Sequence, residues 1–117
     1  MLGGTTSNLK QMQLMTLESV RSCVMIADND RNILYINEAL VDYLSRNEEH
    51  IQKDLPHFKV SGLIGQNIDV FHKHPPHQKK VIAEMQGSFL TTIQVGGINF
   101  DLSALPLVDK KGRRLGT

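Results

Sequence analysis

The sequence is poor in cysteine, in aromatic residues and in net charge. Its single cysteine, Cys23, excludes an internal disulfide and is typical of a reducing, cytoplasmic compartment. A formal net charge of +1, with scattered basic residues, gives no electrostatic case for nucleic-acid binding. No apolar run approaches the roughly 20 residues that span a bilayer, and residues 1–10 lack the apolar segment of a signal peptide. We therefore expect no nucleic-acid partner and no membrane segment in this chain.

Residue content sets the size and class of the chain. With 117 residues, of which 40% are hydrophobic and 21% charged, it has the composition of one globular domain with one modest core. We expect residues 1–7 to be an appended or disordered lead-in, residues 8–21 to be an amphipathic helix, and residues 22–117 to be the folded domain. The last residues, "GRRLGT", are expected to open a strand that the sequence cuts short.

The expected N-terminal helix, "NLKQMQLMTLESVR", carries an imperfect helical stripe of apolar side chains. Asn8 is a residue type that caps helix N-termini. Two interpretations remain open, since the stripe either packs on its own domain or serves as a dimerisation or signalling surface. The stripe consists of Leu9, Met12, Leu17 and Val20.

A hairpin and a helix are expected next. "CVMIA" and "ILYIN" are short runs rich in strand formers, and the "DNDRN" between them is rich in turn residues, which predicts an antiparallel hairpin. Asn37 then predicts the N-cap of a helix, with Glu38 in its first turn. Asn47 predicts the cap of a second short helix that ends before Pro56. Cys23, on the first strand, is predicted to be a small core residue.

The second half of the chain repeats strand signals after one more helix. "PHQKKVIAEMQG" predicts an amphipathic helix that stops at Gly87. "SFLTTIQV" and "INFDLSALPLV" predict strands joined at Gly96 and Gly97, and "DKKGR" predicts the turn before the last strand. Helices between strands at both ends of the chain predict an α+β domain: an antiparallel five-stranded sheet, helices packed on one face, and a flanking N-terminal helix. A cavity between the sheet and the helices is the expected ligand site.

Three of the five histidines lie within six positions, in "FHKHPPHQ" at residues 71–78. His72, His74 and His77 could be zinc ligands, although structural zinc sites usually need four ligands and often include cysteine. A haem needs one imidazole directed into an apolar slot. His72 follows Phe71 and could supply that imidazole, or could be a corner residue satisfied by backbone groups. No nucleophile, phosphate-binding or metalloprotease motif is present, so the sequence favours a protein that is not an enzyme.

In its order of elements and its local sequence the chain resembles a PAS domain, the sensory module of bacterial signalling proteins. "VMIADNDRNILYINEAL" is similar to the opening of that family, "LIGQNIDVFH" to its Leu-Ile/Val-Gly motif, and "GGINFDLSALPLVDKKGRRLGT" to its closing strands. The resemblance covers residues 18–117. "KDLPHFKVSGLIGQNIDVFHKHPPHQ" is similar in particular to PAS domains of bacterial chemoreceptor-like proteins, among them the Aer2-type haem-containing oxygen sensors.

The resemblance to these sensors implies a haem b cofactor. It implies that His72 is the axial ligand of the haem iron, that His77 belongs to the same signature, and that Leu102 lines the gas side. In those sensors a tryptophan on the final strand donates a hydrogen bond to oxygen; this chain has no tryptophan, and the matching position falls just after Thr117. Flavin is a separate possibility, since some PAS aerotaxis sensors hold FAD, although the "NCRFLQ"-like motif of photoactive flavin PAS domains is absent. The other expected pocket residues are Leu44, Leu63, Ile64, Ile68, Phe71, Val81, Ile82, Met85 and Ile93.

We therefore expect a cytoplasmic, non-enzymatic PAS domain that binds haem b and senses a diatomic gas, with oxygen as the expected gas, for a chemotaxis-like receptor. The expected partners are the gas, adjacent signalling domains of the same protein, and a second copy bound through the N-terminal helix. The alternative is a PAS domain without a cofactor that dimerises through residues 8–21 and relays signals.

Overall fold

The chain contains both helices and strands in the computed structural model, which describes residues 2–71 and 87–117, with side chains from residue 8 onward. The strands pair in three antiparallel ladders, β1 with β2, β3 with β4 and β5 with β6. The α+β class and the antiparallel pairing are therefore as predicted. The elements are α1 (Leu2–Ser19), β1 (Met25–Ala27), β2 (Ile33–Ile36), α2 (Glu38–Gln52), the 3₁₀ helix η1 (Ile68–Phe71), β3 (Phe89–Val95), β4 (Ile98–Ala104), β5 (Leu107–Val108) and β6 (Arg114–Gly116).

The β1–β2 hairpin is closed by an aspartate. Asp28 Oδ1 accepts hydrogen bonds from the backbone N–H groups of Asp30 and Asn32, both at 2.9 Å, which is the turn chemistry for which aspartate is favoured. Arg31 has a φ of 67°, the one positive φ of a non-glycine residue among those described. The predicted turn "DNDRN" is therefore confirmed, and within it Arg31 adopts a backbone conformation that is uncommon for a residue other than glycine.

The β3–β4 hairpin has the turn that its two glycines predict. Gly96 and Gly97 have φ angles of 60° and 80°, which a two-residue turn of type I′ requires and which glycine adopts at little cost. Seven residue pairs follow in unbroken register, from Val95 opposite Ile98 to Phe89 opposite Ala104. This hairpin is the longest ladder in the described part of the molecule.

The single strand predicted over residues 98–108 is divided in the structure. β4 ends at Ala104 and β5 begins at Leu107, because Pro106 lacks the N–H that a continuous ladder would need. β6 then follows a turn capped by Asp109. The residue after β6, Thr117, makes two backbone hydrogen bonds with Ala27 of β1, at 2.9 and 2.8 Å. The described strands are thus three separate pairs, of which β1–β2 and β5–β6 meet at Ala27 and Thr117, and they differ in this respect from the expected continuous five-stranded sheet.

Helix α2 begins where predicted but is longer than predicted. Asn37 is its N-cap and accepts the N–H of Leu40. The second short helix, with Asn47 as its cap, was a wrong prediction: α2 runs unbroken through Asn47, whose side chain donates to the carbonyl of Tyr43, one turn earlier, at 2.7 Å. A polar cap residue in mid-helix can satisfy itself in this way while the apolar face of the helix is held by the core.

The core lies between α2, β2, β3 and the loop that precedes η1. Rings also meet here, with Tyr43 edge-on to Phe100 and Phe58 tilted against Phe71. Each aliphatic side chain that is fully buried contributes roughly 1.5–3 kcal/mol to folding. The buried cluster is Ile33, Ile36, Leu44, Ile51, Phe58, Leu63 and Val95.

Helix α1 differs from the sequence expectation in both length and packing. It begins at Leu2 rather than near Asn8, because residues 2–19 contain no proline to stop the helical hydrogen bonding. Leu9 and Met12, two members of the predicted stripe, are more than half exposed, whereas Leu17 is partly buried. The stripe therefore does not pack along its own domain over its full length.

Cys23 is exposed, so its prediction as a core residue was wrong. It lies in the connection between α1 and β1 because β1 begins two residues later, at Met25. Among the described residues, none of the helices is long and apolar enough to cross a membrane.

Candidate functional site

The Leu-Ile-Gly motif is tied to the buried strand β2. Gly65 donates its N–H to the carbonyl of Ile33, and Ile33 donates to the carbonyl of Gln66, each at 2.7 Å. Gly65 has a φ of 94°, a conformation that favours glycine. Leu63 fills the core, and Ile64 points away from it with 58% of its surface exposed. The motif is therefore a fixed turn that brings the chain to η1.

η1 lies against the same core and leads directly to the histidine cluster in the sequence. Ile68 and Phe71 are partly buried and pack against the core cluster, and the ring of Phe71 lies 5.3 Å from that of Phe58, centroid to centroid. His72 is the next residue in the sequence. The packing of η1 therefore fixes the position of Phe71, the residue directly before the predicted iron ligand in the sequence.

One face of the β3–β4 hairpin is apolar and only partly covered. Val95 is buried, and Ile93 and Phe100 pack against the core cluster. Because side chains alternate along a strand, Phe89 and Leu102 share that face further from the turn, and they remain 37% and 40% exposed. The face thus has a closed end at the turn and an open apolar end away from it.

The predicted pocket residues are brought together in part. Leu44 and Leu63 are buried in the core, and Ile68, Phe71 and Ile93 pack around it. Leu102 lies at the open end of the hairpin face, and Ile64 is on the outside. His72, His77, Val81, Ile82 and Met85 lie outside the described residues, as does the helix predicted over "PHQKKVIAEMQG".

The hairpin turn is anchored to the end of α2. The N–H of Gly96 donates to Asp54 Oδ2 at 2.6 Å. A Cβ at Gly96 would lie 1.8 Å from the carbonyl oxygen of His50, so a side chain there would collide with the last turn of the helix. The sequence predicted Gly96 for its turn but missed this contact, since no local pattern joins residues so far apart in the chain.

Asn37 joins three elements and was predicted only as a helix cap. It is fully buried. Its Oδ1 accepts from the N–H of Val24 at 3.0 Å and from that of Leu40 at 3.1 Å. Its Nδ2 donates to the carbonyl of Ser22 at 2.8 Å and is 3.3 and 3.4 Å from the carbonyls of Leu17 and Val20, at the end of α1. One amide therefore fixes the end of α1, the approach to β1 and the start of α2.

A second contact between α1 and the strands involves an ionisable pair. Tyr35 on β2 donates its hydroxyl proton to Glu18 Oε2 at 2.5 Å. Desolvation and then the neighbouring Glu18 carboxylate raise the pKa of Tyr35 to about 12, because both disfavour the phenolate. The pair lies between α1 and β2 and is not part of the apolar hairpin face.

Within residues 2–71 and 87–117, no three His, Cys, Asp or Glu side chains come together in a way that could hold a metal ion. The alternative zinc site at His72, His74 and His77 lies outside those ranges. The open end of the hairpin face is an apolar surface without metal-ligating side chains among the described residues.

Comparison with known proteins connects this arrangement to a family. The structure resembles the Aer2 receptor from Vibrio cholerae, described as a dual PAS-heme oxygen sensor, with a TM-score of 0.72 and 38% sequence identity, over 80% of this chain and 86% of that one. The chain belongs to the PAS domains of chemoreceptor-like proteins. The predicted family is therefore confirmed.

A curated relative agrees with this assignment. This PAS domain is 43% identical over 101 residues to methyl-accepting chemotaxis protein McpB of Pseudomonas aeruginosa. The match covers 86% of the chain but only 15% of the length of that relative. No protein-family model matches the chain. One relative is by name a receptor and oxygen sensor and the other a methyl-accepting chemotaxis protein, and both support a sensory signalling domain.

Proposed function

We propose that this PAS domain binds haem b through His72 and senses a diatomic gas, with oxygen as the expected gas, for a chemotaxis-like receptor in the cytoplasm. The observation that carries the proposal is the apolar inner face of the β3–β4 hairpin. Its open end displays Phe89 and Leu102, each more than one third exposed, which are the side chains that a bound porphyrin would cover. η1, which leads to His72, packs against the same core.

The residues of this chain divide into roles in the proposed site. His72 would ligate the iron as a neutral imidazole, and Leu102 would border the face on which the gas binds. Leu44, Leu63 and Ile93 close the inner end of the pocket with aliphatic surface, which excludes water. The haem, when bound, supplies the metal centre that takes up the gas. Val81, Ile82, Met85 and His77 are proposed, from the resemblance, to complete the pocket.

The proposed response passes from the hairpin to neighbouring signalling domains. A gas molecule that contacts the inner face near Leu102 would displace β4 relative to β3. The turn of this hairpin is held to α2 by the hydrogen bond from Gly96 to Asp54. The response therefore requires two positions of the hairpin, and the gas can shift the equilibrium between them only by binding more tightly to one than to the other. The relative of which this chain covers 15% is a methyl-accepting chemotaxis protein, which supports signalling domains of that kind as partners.

Haem reconstitution tests the proposal. The purified chain should show a Soret band at one haem per chain. His72→Ala should abolish the histidine-ligated spectrum, and His74→Ala, a matched change two residues away, should leave it intact. The absence of a Soret band in the unaltered protein would refute haem binding, and loss of the spectrum in His74→Ala alone would mean that the ligand is the other histidine.

A cofactor-free dimerisation domain is the second candidate, and α1 favours it. Three apolar side chains at three-residue spacing share one face of this helix and are each more than half exposed: Leu9, Met12 and Met15. Such a surface is typical of a helix that packs against a partner. Light scattering should show a dimer that Met12→Lys dissociates, whereas Lys10→Glu, also on the exposed part of α1, should not. A monomer at micromolar concentration would contradict this candidate.

A further inference from the structure

The turn between β1 and β2 and the start of η1 are joined by backbone contacts. Ile68 donates its N–H to the carbonyl of Arg31 at 2.9 Å, and Asn32 and Asn67 form an antiparallel bridge. The turn and η1 are more than thirty residues apart in the sequence, so these bonds are tertiary contacts. They hold the first residue of η1 against a turn that is itself closed by Asp28.

The side chain of Asn67 strengthens this junction in two directions. Its Nδ2 donates to the carbonyl of Asp30 at 2.8 Å and lies 3.3 Å from Asn32 Oδ1. Its Oδ1 accepts the N–H of Asp69 at 3.1 Å, which caps the first turn of η1. One amide therefore binds both the hairpin turn and the 3₁₀ helix.

A charge pair completes the junction. Arg31 Nε is 3.9 Å from Asp69 Oδ1, and the two side chains are only 14% and 35% exposed. Neither of these two atoms has a hydrogen-bond partner among the described residues, so the ion pair is the described interaction that opposes the cost of burying them. Glycine or asparagine would suit the positive φ of Arg31 better. The presence of arginine indicates that its side chain, rather than its backbone, is what this position requires.

We propose that Arg31, Asn67 and Asp69 form a clamp that sets the position of η1, the element that directly precedes the proposed iron ligand His72 in the sequence. The inference rests on the proposed haem function. η1 is a 3₁₀ helix of four residues, and such short helices have poor internal hydrogen-bond geometry. Its position must therefore come from outside contacts, and groups behind a metal ligand commonly determine its orientation. The three clamp residues are positioning residues, because they act on the proposed ligand only through η1.

Arg31→Gln tests the clamp, with Arg113→Gln as its matched control. Both changes remove an arginine that lies in a hairpin turn and pairs with an aspartate. The Arg113–Asp109 pair lies between β5 and β6, away from η1, and its arginine is 72% exposed. Arg31→Gln should release haem to an apo-globin acceptor about tenfold faster, since loss of an outer-shell partner commonly costs about 10- to 100-fold in metal affinity. The iron–histidine stretching band of the ferrous protein should shift or broaden. Arg113→Gln should match the unaltered protein in both measurements.

Amide hydrogen exchange separates the clamp from general instability. In the haem-free protein, Arg31→Gln should speed exchange at Ile68 and Val70 while the core amide of Ile51 keeps its rate. Asp69→Asn, which preserves size and removes the charge, is a second variant with the same expected pattern. If the unaltered protein binds haem and both variants leave haem loss and the iron–histidine band unchanged, the clamp is refuted and the proposed function stands. If the unaltered protein binds no haem, the proposed function fails, and the positioning role fails with it.

Discussion

The contact between Gly96 and the last turn of α2 predicts a large difference between two adjacent glycines. Gly96 and Gly97 both have positive φ, 60° and 80°, so alanine at either position incurs the left-handed backbone penalty of about 1–2 kcal/mol. Only at Gly96 does the added Cβ also meet backbone, 1.8 Å from the carbonyl oxygen and 2.4 Å from the carbonyl carbon of His50. At Gly97 it meets nothing within 4 Å.

The expected difference in the free energy of unfolding between Gly96→Ala and Gly97→Ala depends on which groups can move to make room for the added Cβ. A backbone carbonyl in a helix cannot rotate away as a side chain can, so Gly96→Ala must displace the hairpin turn from α2. Overpacking of this kind costs about 1–3 kcal/mol, and separation would also stretch the 2.6 Å bond from the Gly96 N–H to Asp54 Oδ2, a charge-assisted bond that contributes about 1.5–3 kcal/mol. Gly96→Ala should therefore be at least about 2 kcal/mol less stable than Gly97→Ala.

Urea unfolding followed by circular dichroism measures this difference, because the midpoints of the two variants can be compared at a common slope. Gly97→Ala is the control for turn strain, since it shares the turn, the residue change and the backbone region. Equal midpoints for the two variants would refute the contact between the hairpin turn and α2. Haem affinity should fall with stability in Gly96→Ala, because the displaced hairpin carries the proposed pocket wall.

Two further predictions concern the contacts around α1. Asn37→Ala removes a fully buried amide that bonds three elements, and it should lower the free energy of unfolding in urea by about 2–4 kcal/mol. The amide of Asn47 bonds only within its own helix, so Asn47→Ala should lower it by about 1 kcal/mol. Equal losses in the two variants would contradict the role of Asn37 in joining three elements. The pKa of Tyr35 in the folded state, about 12, lies above its ordinary value of 10.0, so the folded state holds this proton more tightly than the unfolded state does. The contribution of Tyr35 to the free energy of unfolding is therefore fully present below pH 10 and is lost as the pH rises toward 12. Unfolding measured across that range should show this loss in the unaltered protein and not in Tyr35→Phe, and parallel curves would argue against the bond to Glu18.

Local chemistry explains what could be predicted about the fold. The turns at "DNDRN" and at Gly96–Gly97, and the cap at Asn37, each depend on residues within four positions of one another, so residue type alone determines them. Asn47 failed as a cap because the same side-chain chemistry is satisfied within a helix when tertiary packing holds that helix together. Pro106 could have indicated the break between β4 and β5, since a proline interrupts a ladder wherever its N–H is needed.

The candidate site was less accessible to sequence reasoning because its supports are non-local. Leu44 and Leu63 could be assigned to the inside of the domain by their apolar character, and both are buried. The pairing of Arg31 with Asp69 and that of Gly96 with Asp54 join positions about forty residues apart, and an isolated arginine or aspartate in a sequence is usually a solvated surface residue. The roles of His72 and of the other proposed haem contacts stay predictions.

Helix α2 is the element that both ends of the described structure use as a reference. At its start, Asn37 lies within hydrogen-bond distance of the carbonyl of Leu17 in α1 and accepts the N–H of Val24, one residue before β1. At its other end, the turn of the β3–β4 hairpin lies against the carbonyl of His50 and donates the N–H of Gly96 to Asp54, two residues beyond the helix. Contacts to backbone groups specify position more narrowly than apolar burial does, because hydrogen bonds weaken steeply with distance and angle. The apolar hairpin face and α1 are therefore each held to the same rigid helix, so a displacement of the hairpin turn must either move α2, and α1 with it, or break the bond at Gly96.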